Sequence, residues 1–130
     1  MQKRDVLMDE IERIGKIISQ LVLGFKDNPT KETFEETNIA FLEKTKLDID
    51  FLVNKNHNEL KVYFEKKQFT FSQIENISEY LLIHAEQTND LAIQKKSAQT
   101  AKNILEYINI ESESISFSRI NLEQRISKIL

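Results

Sequence analysis

The chain has no cysteine, only two glycines and a single proline in 130 residues. Each shortage excludes something. Without cysteine there is no disulfide framework, no thiolate metal site and no cysteine nucleophile. With so little glycine and proline there is little material for tight turns, β-bulges or active-site loops, which draw on glycine's access to positive φ. The shortage favours long helices joined by short polar connections. Apolar runs of bilayer-spanning length are absent as well. Lys3 and Arg4 open the chain as a secretory leader would, but Asp5, Asp9, Glu10 and Glu12 break the apolar residues that follow. The expected location is the cytoplasm, and no membrane partner is expected.

Positive charge is scarce too. Twenty-one acids against 18 lysines and arginines leave a net charge of −3. Residues 27 to 50 hold seven of the acids against three lysines, and the other regions are close to balance. A phosphate backbone selects a dense basic face, and none is present, so nucleic acid is not expected as a main partner. What is there suits a folded chain: 40% hydrophobic and 30% charged residues, without a low-complexity tract. A chain of this length forms one domain, here 1–130, and buries roughly two thirds of its unfolded surface.

The strongest pattern lies at the start. Between Asp5 and Lys26, residues Leu7, Ile11, Ile14, Ile18, Leu21 and Phe25 recur in steps of four and three, the seam of a heptad repeat. Val6, Ile17 and Val22 widen it into a broad face, and Asp9, Glu10, Glu12, Arg13 and Lys16 occupy the other side. So wide a face suits a helix seated in a bundle groove better than a free two-stranded zipper. Residues 1–27 therefore form an amphipathic helix expected to pack largely on its own chain. One edge is left for a second copy, which would make a homodimer.

Further along, Asn28-Pro29 predicts a helix start, with asparagine as cap and proline in the first turn. That helix runs to about Lys46, with Phe34, Phe41 and Leu42 as its apolar stripe and Glu32, Glu35 and Glu36 near its positive end. Leu47 to Val53 reads as a short helix capped by Asp48 or Asp50; its alternation also permits a strand, but no partner strand is evident. Asn54 to Asn58 is a turn, and Leu60, Tyr63 and Phe64 mark a helix ending near Lys67. Ser72-Gln73-Ile74-Glu75 has the form of a capping box. It opens a helix whose inner row is Ile74, Ile77, Leu81 and Ala85, broadened by Tyr80, Leu82 and Ile83. The next helix, Leu91 to about Asn109, has the row Ala98, Ala101, Leu105 and Ile108. Ile110 to Ser118 reads as a loop anchored to the core by Ile115 and Phe117, followed by a last helix with Leu122, Ile126 and Ile129 inside. The fold class is all-α: a bundle or short α-solenoid-like array of about six or seven helices joined as antiparallel hairpins.

In Ala101, Leu105 and Ile108, with Tyr80 and Leu81 in the preceding helix, residues 56–130 resemble one helix-turn-helix unit of tetratricopeptide-type α-solenoids. The first helix lacks glycine, no proline follows the second, and no copy recurs at the repeat's period of about 34 residues. An amphipathic N-terminal helix ahead of a degenerate repeat-like domain is also similar to small uncharacterised bacterial all-helical proteins. What the resemblance implies is a fold and, by analogy of fold, protein binding.

Chemistry-bearing patterns are sparse. His57 and His84 stand 27 residues apart in different elements. His84 falls on the inner row of its helix, where a backbone or hydroxyl partner is expected. Carboxylates follow helix-surface spacing, and there is no glycine-rich phosphate loop, nucleophile elbow or His-Glu-x-x-His pattern. No catalytic residue, metal site or cofactor is expected, so the chain reads as a non-enzyme. Tyr63, Tyr80 and Tyr107 are core aromatics that could also line a groove. The expected function is a non-catalytic protein–protein interaction or scaffold module that self-associates through its N-terminal helix. Its candidate surface is Leu7, Ile11, Ile14, Ile18, Leu21, Phe25, Tyr63, Tyr80 and Tyr107, facing an unidentified protein or a second copy. The alternative is a small nucleic-acid-associated regulator with a helix-turn-helix-like segment over Phe69–Leu82, flanked by the pairs Lys66-Lys67 and Lys95-Lys96. The helix that would enter the groove displays Glu75, Glu79 and Glu86, which repel phosphate.

Overall fold

Helix follows helix, six in all among the described residues: α1 (Lys3–Asp27), α2 (Lys31–Thr45), α3 (His57–Lys67), α4 (Phe71–Gln87), α5 (Leu91–Ser112) and α6 (Phe117–Ser127). A single 3-10 turn, Asp50–Leu52, interrupts the connection between α2 and α3. The computed structural model describes residues 3–130, and side chains from residue 8 onward. Helices without strands match the all-α expectation. None of the described helices is long and apolar enough to cross a membrane.

The architecture is centred on α4. Ten of its seventeen residues are buried, so the other helices must cover nearly its whole circumference. α1 runs parallel to it: Gln73 donates to the Ile11 carbonyl (2.9 Å), Asn76 to the Ser19 hydroxyl (3.2 Å), and further along Phe25 meets Tyr80 edge-on at 4.9 Å. Gly15 permits the first of these contacts, because a Cβ there would stand 3.3 Å from the Gln73 amide nitrogen. α2 turns back, packing Phe34 and Phe41 around Tyr80. α5 forms an antiparallel hairpin with α4, tied by the Ser78 hydroxyl donating to the Ala101 carbonyl (3.1 Å) and Gln94 to the Ala85 carbonyl (3.0 Å). α3 lies on α5, and α6 returns along α4, where Arg119 pairs with Glu75 and Arg125 with Glu86. One apolar cluster runs through all six helices.

Both inner rows expected for α4 and α5 are buried throughout. On α1, Ile18, Val22 and Phe25 enter the core and Ile14 and Leu21 pack against it, so this helix does seat on its own chain. The short helical reading of residues 47–53 is met by the 3-10 turn, where Asp48 Oδ1 accepts from the Phe51 amide (3.3 Å).

The caps differ from expectation. Thr30, not Asn28, caps α2 in a reciprocal box with Thr33, and the Asn28 carbonyl instead accepts from the Thr30 amide and the Thr33 hydroxyl. Thr70, not Ser72, caps α4, with Gln73 as its reciprocal partner. Glu75 is thereby released to pair with Arg119. α5 runs to Ser112, three residues past the expected end. Lys46, Gln68 and Glu113 close their helices in the left-handed region usually taken by glycine. Leu42, expected in the stripe of α2, is exposed.

The largest correction concerns the α5–α6 loop. Ile115 and Phe117 do not anchor it; they stand 89% and 90% exposed. The anchor is Arg119, which is buried and reaches Asn109 Oδ1 (2.8 Å), Glu75 (3.2 Å) and the Ser114 carbonyl (2.7 Å). A charged head with three partners fills the space beneath the loop, and the apolar side chains turn outward.

Because α1 supplies part of the core, Phe25→Ala should cost about 3–5 kcal/mol in urea unfolding. The exposed neighbour substitution Leu23→Ala should stay within about 0.5 kcal/mol.

Candidate functional site

A cleft of about 420 Å³ opens between α2, the 3-10 segment and the C-terminal half of α4, with α5 as its far wall. Sequence places these walls far apart. They meet because α2 runs back along α4 from the Phe25–Tyr80 contact, and because the α4–α5 hairpin sets Ser97 beside His84. Phe34, Ile39, Leu42, Val53 and Ile93 supply apolar lining.

His84 forms the floor. Its ring stacks on Phe34 with centroids 3.5 Å apart and planes within 3°, and Nδ1 lies 2.9 Å from the Ser97 hydroxyl. Of the two partners expected, backbone or hydroxyl, the hydroxyl is present. Among the described residues this is the only side-chain hydrogen bond of either group. Nε2 has no hydrogen-bond partner among the described residues and is not sealed away from solvent, and the residue lines the cleft. Burial, followed by the nearby Lys96 ammonium, pushes the His84 pKa down to about 4. The ring is neutral at physiological pH.

Asn38 stands on the cleft wall, where its Oδ1 accepts the Tyr80 hydroxyl at 2.6 Å and its amide NH2 has no partner among the described residues. Lys31, Glu35, Asp48, Asp50 and Lys96 also line the cleft, and none of them is in a salt bridge among the described residues.

A hydroxyl next to an imidazole invites comparison with a nucleophile and its base. The surroundings argue otherwise. Ser97 is buried in the middle of α5, where backbone amides are used in the helix, so none is free to hold an oxyanion. Among the described residues no carboxylate orients the second ring nitrogen. The arrangement can bind and orient; it is poorly built to attack.

The other histidine begins α3. His57 Nε2 meets Glu111 at 3.3 Å and Lys61 reaches the same carboxylate at 2.9 Å, tying α3 to the end of α5. Lys61 chiefly, and then His57, hold the Glu111 carboxyl below the usual carboxylate range. Among the described residues no group of three His, Asp or Glu side chains is placed to hold a metal ion.

The surface expected from sequence is mostly interior. Ile18 and Phe25 are buried, and Ile11, Ile14 and Leu21 are half-buried. The side chain of Leu7 lies outside the described residues. Tyr80 and Tyr107 are also buried and offer nothing to a partner, because α1 and α2 close over Tyr80, and α3 and Phe71 over Tyr107. Tyr63 is half-buried; its ring stacks on Phe51 at 4.6 Å and its hydroxyl accepts from the Asp48 amide (2.8 Å). Sequence reasoning missed Arg119 as an anchor and Asn38 and Ser97 as partners of Tyr80 and His84. For the last two, a polar residue on the face of a helix that also carries apolar neighbours was the available signal.

Neutral burial of His84 gives a pH dependence. The unfolded chain takes up the His84 proton near 6.5, whereas the folded chain resists it until about pH 4. Stability is full above the higher value and is lost as pH falls towards the lower one. Between about pH 7 and pH 5 the loss from this group is about 2 kcal/mol. Urea unfolding of the unaltered chain should show that loss, and His84→Gln should lack it.

No protein-family model matches this chain, and neither a curated protein nor a solved structure matches it.

Proposed function

We propose that the chain is a non-catalytic helical interaction module that docks another protein or a second copy of itself. The observation that carries this reading is the α5–α6 loop. Soluble chains turn large apolar side chains inward where they can, yet Ile115 and Phe117 are nearly fully exposed on a short, anchored segment. Arg119 pins the loop by its backbone and spans α4, α5 and the loop at once. Holding the pair in place lowers the ordering cost that a partner would otherwise meet. Phe71 and Ile110, also exposed, lie on the two helices to which Arg119 ties the loop. The seam of α1 is a weaker candidate, since its central residues pack on α2 and α4.

The nucleic-acid alternative draws less support. Its recognition helix would be α4, which is enclosed by its neighbours, and two of its glutamates are engaged by Arg119 and Arg125.

Sedimentation of the purified chain, with affinity capture from extract, tests the proposal. The unaltered chain should self-associate or retrieve a specific protein, and the double change Ile115→Asp, Phe117→Asp should abolish that while moving the melting midpoint by no more than about 3 °C. A strictly monomeric chain that retrieves nothing specific would contradict it.

A further inference from the structure

We propose that the α5–α6 loop of one copy docks into a groove along α3 of a second copy, so that the chain assembles through two unlike faces. This inference rests on the interaction role proposed above and names the occupant.

The groove combines apolar side chains with basic ones. Phe51, Val62 and Tyr63 line it together with Glu59, Lys66 and Lys67, and its volume of about 580 Å³ admits two large side chains. Val62 is 68% exposed, and Phe51, also exposed, stacks on Tyr63. The Lys55 ammonium stands 4.5 Å from the centre of the Phe51 ring, and that of Lys67 5.5 Å from Tyr63. Counting Lys55, three lysines face one carboxylate, and Glu59 already accepts from the Asn56 amide (3.1 Å). None of the three lysines is in a salt bridge among the described residues. Asp48 and Asp50, close in sequence, line the His84 cleft instead.

The loop is the complement. Ile115 and Phe117 stand exposed in a segment, Ile110 to Ser118, that carries two glutamates and no lysine or arginine. Glu111 is taken by Lys61 and His57, which leaves Glu113, exposed and in no salt bridge among the described residues. The loop does not fill the groove of its own chain: Arg119 pins it to α4 and α5, and both apolar side chains remain nearly bare. Apolar knobs with an acidic flank match an apolar groove with a basic rim. The His84 cleft lacks that sign, because Glu35, Asp48 and Asp50 stand there against Lys31 and Lys96.

The test mixes two variants in sedimentation. Ile115→Asp, Phe117→Asp removes the knobs, and Val62→Glu puts an acid in the groove, all at exposed positions. The unaltered chain should self-associate, less so as salt is raised. Each variant alone should be monomeric, yet an equal mixture should form a dimer, because one loop and one groove remain intact. Lys66→Glu, Lys67→Glu should weaken association about fivefold, and adding Glu113→Lys should recover part of it. A monomeric unaltered chain overturns the inference, as does association that Val62→Glu leaves unchanged. If the loop variant still loses a captured protein, the interaction role stands and only the second copy fails. Amide spectra of the unaltered, ¹⁵N-labelled chain against concentration decide the matter even if a variant folds poorly. Shifts should appear together in the loop and along α3, and shifts in one without the other would overturn the pairing.

Discussion

Tyr80 is the point at which the bundle is joined. Its ring is enclosed by Phe25 from α1 and by Phe34 and Phe41 from α2, and its hydroxyl donates to Asn38. An aromatic ring buries a large apolar area, and edge-on contacts add to it, but a buried hydroxyl requires a partner. Asn38 meets that requirement, and so fixes how α2 sits over α4. Burial also raises the Tyr80 pKa far above its ordinary value, which keeps the hydroxyl a donor. Once α1 and α2 are seated here, the back of α4 remains open to α5 and α6. The cleft is what lies beyond the contact: one turn further along α4, Phe34 stacks on His84 and the helices part.

How much of this could be read from the residues depends on the length scale of the signal. The inner rows of α4 and α5 extend over three or more turns, and each added turn reinforces the same face, so all eight residues named for them are buried. A backbone or hydroxyl partner for His84 was expected from its place on such a row, and the structure supplies a hydroxyl. Caps are short signals, and here several residues compete for one role. Ser72 with Glu75 and Thr70 with Gln73 are both acceptable boxes two residues apart; the second forms, and Glu75 is held instead by Arg119 from 44 positions away. Local pattern could not contain that information.

Ile115 and Phe117 illustrate the same limit from the other side. Apolar residues in a polar loop are normally anchors, and that expectation fails because a buried arginine already occupies the space below. The cleft was equally invisible in sequence, being assembled from α2, α4 and α5 by the bundle itself. What sequence did convey about it was indirect: two histidines without co-ligands at metal spacing, and an aromatic pair, Phe34 and Phe41, on one face of α2. The first stretch of the chain keeps the meaning that its broad face suggested: most of its heptad seam is an interface within one chain.

Since α1, α2, α5 and α6 all pack on α4, the most direct test is native-state amide hydrogen exchange resolved by residue. Amides from Ile74 to Ala85 should exchange only through global unfolding and be the slowest in the chain, with those of α6 and the start of α1 exchanging sooner through local opening. Exchange of the α4 amides ahead of those in α5 or α6 would contradict the account, because it would mean the bundle holds together without its central helix.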